Sequence, residues 1–95
     1  MRAKRVDDNQ GEIVSALRKI GCEVAITSQV GNGFPDLVVG TPFQKRIVLL
    51  EVKDGAKVPS AQKLTEHEQR FHDEWSPYGA VFIVKNITEA IAAIK

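Results

Sequence analysis

The chain is poor in several things at once. Its 95 residues include one cysteine, one methionine, one tryptophan and one tyrosine. A single cysteine closes no internal disulfide, so stability has to come from packing. Cys22, followed by Glu23-Val24-Ala25-Ile26, reads as a small buried hydrophobe at a strand entrance. A nucleophilic role would need a histidine nearby, and His67 and His72 lie far along the chain. The compartment expected from this cysteine usage is a reducing cytoplasm. No apolar run approaches the roughly 20 residues that a membrane span requires. The basic start, Met1-Arg2-Ala3-Lys4-Arg5, leads into Val6-Asp7-Asp8 rather than a hydrophobic signal core, so neither secretion nor a membrane partner is expected. Net charge is scarce too: 13 basic against 12 acidic side chains leave +1, which argues against a strongly basic nucleic-acid binder. Internal repeats, low-complexity tracts and long linkers are also missing, so residues 1–95 read as one domain.

What is present is a regular alternation of apolar patterns. Asp7 or Asp8 is placed to cap a first helix whose apolar positions Ile13, Val14, Leu17 and Ile20 follow helical spacing, and Gly21 stops it. Residues 22–28 read as a strand and 29–33 as a loop in which Gly31 and Gly33 permit positive φ or close backbone approach. Residues 34–39 form a second strand, entered through Pro35, which cannot donate to a sheet ladder. A turn over 40–45 leads to a third strand, 46–53, whose near-continuous run Ile47-Val48-Leu49-Leu50 suits a central position covered on both faces. After a polar loop, 54–63, Thr65-Glu66-His67-Glu68 has the capping-box spacing. The helix it opens carries Leu64, Phe71 and Trp75 as a core-facing stripe. Ser76-Pro77-Tyr78-Gly79 ends it, residues 80–84 form a fourth strand, and Thr88 is placed to cap a terminal helix with Ile87, Ile91 and Ile94 on one side. The order α-β-β-β-α-β-α predicts a small α/β fold, a mixed sheet flanked by helices.

Charge sits where burial is expected. Asp36 opens the second strand, and Glu51 and Lys53 close the third, two apart and therefore on one face. An antiparallel hairpin brings the start of one strand against the end of its partner, so the three side chains converge. Buried as architecture, they would be expensive. Two carboxylates, the Val52 backbone carbonyl and waters offer the all-oxygen shell that Mg²⁺ or Mn²⁺ takes, with Lys53 placed to orient or deprotonate a water. The plainer alternative is an ion pair capping two strand ends. Glu12, at the margin of the first helix's apolar stripe, is either solvated surface or an acid held over the site; spacing alone leaves both open. If three acids belonged to an ion site, nine would face 13 basic groups, a surplus of four compatible with contacting phosphates.

Pro35-Asp36, fourteen residues, then Glu51-Val52-Lys53 resembles the PD-(D/E)xK nuclease signature on its hairpin. More narrowly, Gly33-Phe34-Pro35-Asp36-Leu37 with a helical Glu12 and a later Gln69 resembles the virus-type replication–repair nuclease (VRR-NUC) family, from about Asn9 to Val84. The resemblance implies a small restriction-endonuclease-like fold. It also implies Asp36 and Glu51 as metal ligands, Lys53 as general base or water-positioning group, and Glu12 as a further acid reaching the metal through water. Gln69 would position Lys53 or the scissile phosphate; its bland alternative is an exposed polar helix residue. Asn32, Lys45, Arg46, Lys57, Lys63 and Arg70 are candidate DNA contacts. His67 and His72, five apart, are not spaced as a helical metal pair and read as surface residues.

The activity implied is Mg²⁺- or Mn²⁺-dependent hydrolysis of DNA phosphodiesters, with no organic cofactor. Selection by DNA structure rather than sequence is expected, since a domain this small can read backbone shape more readily than base sequence; branched substrates such as four-way junctions are what the resemblance implies. Stand-alone members of the family imply a homodimer and a bacterial or phage-infected cell, and Phe43, Trp75, Tyr78 and the Ile87/Ile91/Ile94 stripe offer apolar surface for an interface. Rival readings are a flap, nick or sequence-specific nuclease, and a non-catalytic DNA-binding or assembly module.

Overall fold

The computed structural model describes residues 7–95, so the basic stretch 1–5 lies outside the described residues. Helix α1 spans Gln10–Lys19, strands β1, β2 and β3 span Glu23–Ile26, Leu37–Thr41 and Arg46–Val52, and α2 spans Glu66–Trp75. Strand β4 (Val81–Val84) and helix α3 (Ile87–Ile94) complete the chain. The order is the α-β-β-β-α-β-α expected. The sheet runs β1-β2-β3-β4, antiparallel at the first two junctions and parallel between β3 and β4. A parallel junction requires a crossover, and α2 lies on it.

Period-2 alternation sorts the strands into two faces. Leu37 and Val39 of β2, Val48, Leu50 and Val52 of β3 and Val84 of β4 are buried against Ile13, Val14 and Leu17 of α1 and Ala90 and Ile94 of α3. The same alternation turns Asp36, Glu51 and Lys53 to the opposite face. Asp36 precedes Leu37, which pairs with Leu50, so Asp36 and Glu51 meet across the hairpin as its antiparallel register demands.

Several local expectations shift. Residues 22–28 shorten to Glu23–Ile26, and 34–39 begin only at Leu37, because Pro35 cannot join the ladder. The N-cap of α1 is Asn9, and that of α3 is Asn86, whose Oδ1 accepts from Glu89 N at 2.8 Å. Ile94 is fully buried and Ile87 and Ile91 pack against the core, so that stripe is not interface surface. Trp75 is half exposed rather than core. Cys22 is buried, and burial pushes its thiol pKa up, as a structural cysteine should behave.

Helix α2 is held down at its start. Thr65 accepts from Glu68 N at 3.2 Å while the Glu68 carboxylate accepts from Thr65 N at 2.9 Å, the capping box the sequence announced. Gly33, at φ +80°, lies against the His67 carbonyl so closely that a Cβ would come within 2.2 Å of its oxygen. Gly33→Ala is therefore expected to cost about 2 kcal/mol or more through clash and positive φ together. Urea denaturation checks this; a loss below about 0.5 kcal/mol would show that the approach is not required.

Candidate active site

Asp36, Glu51, Val52, Lys53, Glu68, Lys63, Thr65 and Asp7 line one cleft of about 300 Å³. It opens where the β2–β3 hairpin meets the start of α2. Each charged group has a structural reason to be there. The chain before β2 is clamped by Thr27 N donating to Asp36 O at 2.7 Å and by Thr27 Oγ1 donating to Pro35 O at 2.8 Å. The Asp36 side chain is then oriented by Val52 N, which donates to Oδ2 at 2.8 Å. Glu51 is fully buried and Asp36 is 3% exposed. Lys53 Nζ lies 2.8 Å from Glu68 Oε1 and 3.9 Å from Glu51 Oε2. Burying carboxylates is tolerable only where donors or cations meet them, and here a backbone N–H and one lysine ammonium do part of that work.

Glu68 is the functional candidate that sequence reasoning missed. One oxygen of it, Oε1, accepts from both Lys53 Nζ and Thr65 N, so the α2 capping box and the cleft lysine share a carboxylate. Gln69, expected in this role, is exposed and donates to Asp73 Oδ1 at 2.9 Å, one residue and about 100° of helical phase away from the cleft. Glu12 is likewise exposed on α1 and does not line the cleft. The acid that reaches it from the N-terminal side is Asp7, while Gln10 and Asn9 of the helix start are buried. Asn9 Nδ2 donates to Lys53 O at 3.2 Å and to Lys85 O at 3.0 Å, tying the ends of β3 and β4 to α1.

The expected DNA contacts divide. Lys63 lines the cleft. Lys57 sits beside it, paired with Asp7 Oδ1 at 3.4 Å and Asp8 Oδ2 at 3.8 Å. Asn32, at φ +55°, and the exposed His67 flank a shallow hollow that continues from Thr65 and Glu68. Arg70 is exposed on α2. Lys45 and Arg46 are misplaced in the expectation: they open β3, about 20 Å of strand from Lys53, because a hairpin's turn and its open end lie at opposite edges of the sheet.

His72 also departs from the surface reading: it is 9% exposed, one helical turn from Glu68. Burial lowers its pKa below the ordinary 6.5, Glu68 and Asp73 pull it back up, and Lys53 lowers it further. The folded state thus binds the proton less readily than the unfolded chain. The stability His72 contributes is complete above about pH 6.5 and falls as pH drops toward its folded pKa. Unfolding free energies between pH 7.5 and 5.5 are expected to fall more steeply in the wild type than in His72→Gln; equal slopes would contradict this.

Chemically, the donors gathered here are hard oxygens. The Asp36 and Glu51 carboxylates and the Val52 carbonyl suit a Mg²⁺-type ion that completes its shell with water and substrate oxygens. Among the described residues no group of three or more His, Cys, Asp or Glu forms a protein cage for an ion.

No family model matches the chain, and no curated protein matches it. A solved VRR_NUC domain is similar over 93% of this chain and 96% of its own, at 27% identity and a TM-score of 0.64. Fold and likeness together define a nuclease-type α/β domain of restriction-endonuclease-like architecture. The likeness supports assigning the chain to the VRR-NUC family, the family its PD…ExK hairpin resembles.

Glu68→Ala removes a helix cap and the partner of a buried ammonium, and is expected to lower stability by about 2–3 kcal/mol, against less than about 0.5 for Gln69→Ala. Chemical denaturation of the two variants checks the assignment; the reverse ranking would return the role to Gln69.

Proposed function

We propose that the protein is a Mg²⁺- or Mn²⁺-dependent endonuclease that hydrolyses DNA phosphodiesters, acting on branched duplex as a homodimer. The observation that carries the reading is the convergence of Asp36, Glu51 and Lys53 in one cleft at the open end of the β2–β3 hairpin. An ion held by Asp36, Glu51 and the Val52 carbonyl would supply Lewis acidity toward a phosphoryl oxygen and an acidified water. Asp36, oriented by Val52 N, sets the direction of one carboxylate, and the hairpin register sets the other.

Lys53 is held between Glu51 and Glu68 and can donate to a water or to a phosphoryl oxygen as negative charge builds there. Glu68 fixes where that ammonium stands. Lys63 and Lys57 at the cleft, with Asn32 in the hollow that continues from it, are the residues proposed to take the phosphates of the duplex, while Arg70, about 200° of helical phase from Glu68, turns away from the cleft. Lys45 and Arg46 drop out of that set on distance.

Two buried carboxylates at the contact point argue against a binding-only module, because phosphate recognition gains nothing from them. The setting proposed is the cytoplasm, on the same cysteine argument as before.

The test is cleavage of matched linear, flap and four-way substrates with Mg²⁺, with Mn²⁺ and with chelator. Ion-dependent cutting that favours the four-way substrate is expected, and Asp36→Asn is expected to lose at least about 100-fold in rate while unfolding at or above the wild-type temperature, since one buried like charge is removed. Preferred cutting of flap or nicked duplex would move the substrate assignment to those structures. DNA binding without cutting under any divalent ion would overturn the nuclease reading.

A further inference from the structure

The apolar stripe of α2 runs on past the point where the fold covers it. Phe71 and Trp75 share one side of the helix, yet Phe71 is 8% exposed and Trp75 50%. Trp75 is nevertheless held in place. Its ring lies flat on that of Phe71, centroids 5.2 Å apart and planes 6° from parallel, and Phe34 meets the Phe71 ring edge-on at 5.4 Å. Three rings are thus stacked outward from the loop before β2, each at the spacing aromatic pairs prefer. Phe71 covers one face of the indole, so the exposed half of Trp75 lies on the side away from it. That leaves a large aromatic surface in water on a chain with little burial to give up.

The exposed ring stands in line with the cleft. Trp75 follows Glu68 by seven residues, which is about 10 Å along α2 and only about 20° short of two full turns. It therefore sits on the helix side that Glu68 turns to the cleft. A strand with a phosphate in the cleft, running along α2, covers that distance in about three nucleotides at a rise of roughly 3.4 Å each. The acids of α2 do not stand in its way. Glu66 and Asp73 are about 160–180° round the helix from Trp75 and Glu74 about 100°, while Glu68 is engaged by Lys53.

We propose that the open face of Trp75 is a stacking platform for an unpaired nucleobase of the strand held in the cleft. The inference rests on the DNA substrate proposed above and adds to it a contact with a base rather than a phosphate. A flat ring face offers no recess for an aliphatic side chain to enter, whereas every nucleobase presents a π-face, so the contact is indifferent to sequence. Inside a paired duplex the base faces are already stacked on one another; at a branch, a flap or a strand end one is free. The platform therefore favours DNA with an open base near the scissile phosphate. Its backing by Phe71 and Phe34 fixes the ring in advance and leaves little ordering cost to binding.

Trp75 is the only tryptophan, so indole emission of the full chain reports on it alone. With chelator present, so that no cleavage intervenes, a short oligothymidylate is expected to quench that emission saturably. An abasic deoxyribose-phosphate chain of equal length, which offers the same phosphates and no bases, is expected to leave it unchanged. By anisotropy of a labelled oligothymidylate, Trp75→Leu is expected to weaken binding about tenfold or more, and Trp75→Phe, which keeps a flat ring, less than about threefold. No quenching, equal quenching by both chains, or a Trp75→Leu variant that binds like wild type would overturn the platform. So would emission that changes with protein concentration in the absence of DNA, which would give the indole face to a second copy. Cleavage retained without quenching strikes this inference alone, and quenching without cleavage under any divalent ion strikes only the nuclease reading.

Discussion

Everything in this small fold is arranged around two carboxylates held out of water at the open end of a hairpin. A buried carboxylate is among the most costly groups a protein can carry, and Asp36 and Glu51 stand on adjacent strands with a backbone N–H and the Lys53 ammonium beside them. The antiparallel register makes them neighbours whether or not the chain benefits. The other parts then follow as supports. Thr27 clamps the backbone at Pro35 and Asp36, Asn9 ties the carbonyl of Lys53 to α1, and Gly33 lets α2 come close enough to present Glu68.

The two faces of the sheet divide the labour. One is a closed aliphatic core under α1 and α3, built from Ile13, Leu17, Leu37, Val39, Val48, Leu50 and Ile94, all fully buried. The other carries chemistry at one end and bare apolar surface at the other. A chain of 95 residues buries only about two thirds of its unfolded surface, and this one gives part of that limited core face to a charged cleft.

The fold was legible because its signals are local. Alternation set which strand residues share a face, Pro35 marked where the second strand could not yet be paired, and the hairpin register brought Asp36 to Glu51. What was not legible depends on phase and distance. Gln69 and Glu68 differ by about 100° of helix, and only the docking of α2 on Gly33 decides which looks into the cleft. The signal was available in the capping box, since a glutamate at the third helical position points back toward the helix start, where Lys53 waits. Glu12 failed because the Ile13–Leu17 stripe of α1 packs on the core face of the sheet, opposite the face that carries Asp36 and Glu51, and that choice of face is not displayed in the sequence. Lys45 and Arg46 were close in sequence to the motif yet at the wrong end of a strand.

The central claim is that the two buried carboxylates belong to a divalent ion. Calorimetric titration of Mg²⁺ or Mn²⁺ into the wild type and into Glu51→Gln, both metal-free at the start, tests it without any substrate. The account predicts saturable binding to the wild type, weakened by about tenfold or more in the variant. Equal binding by both proteins, or none by a folded wild type, would contradict it.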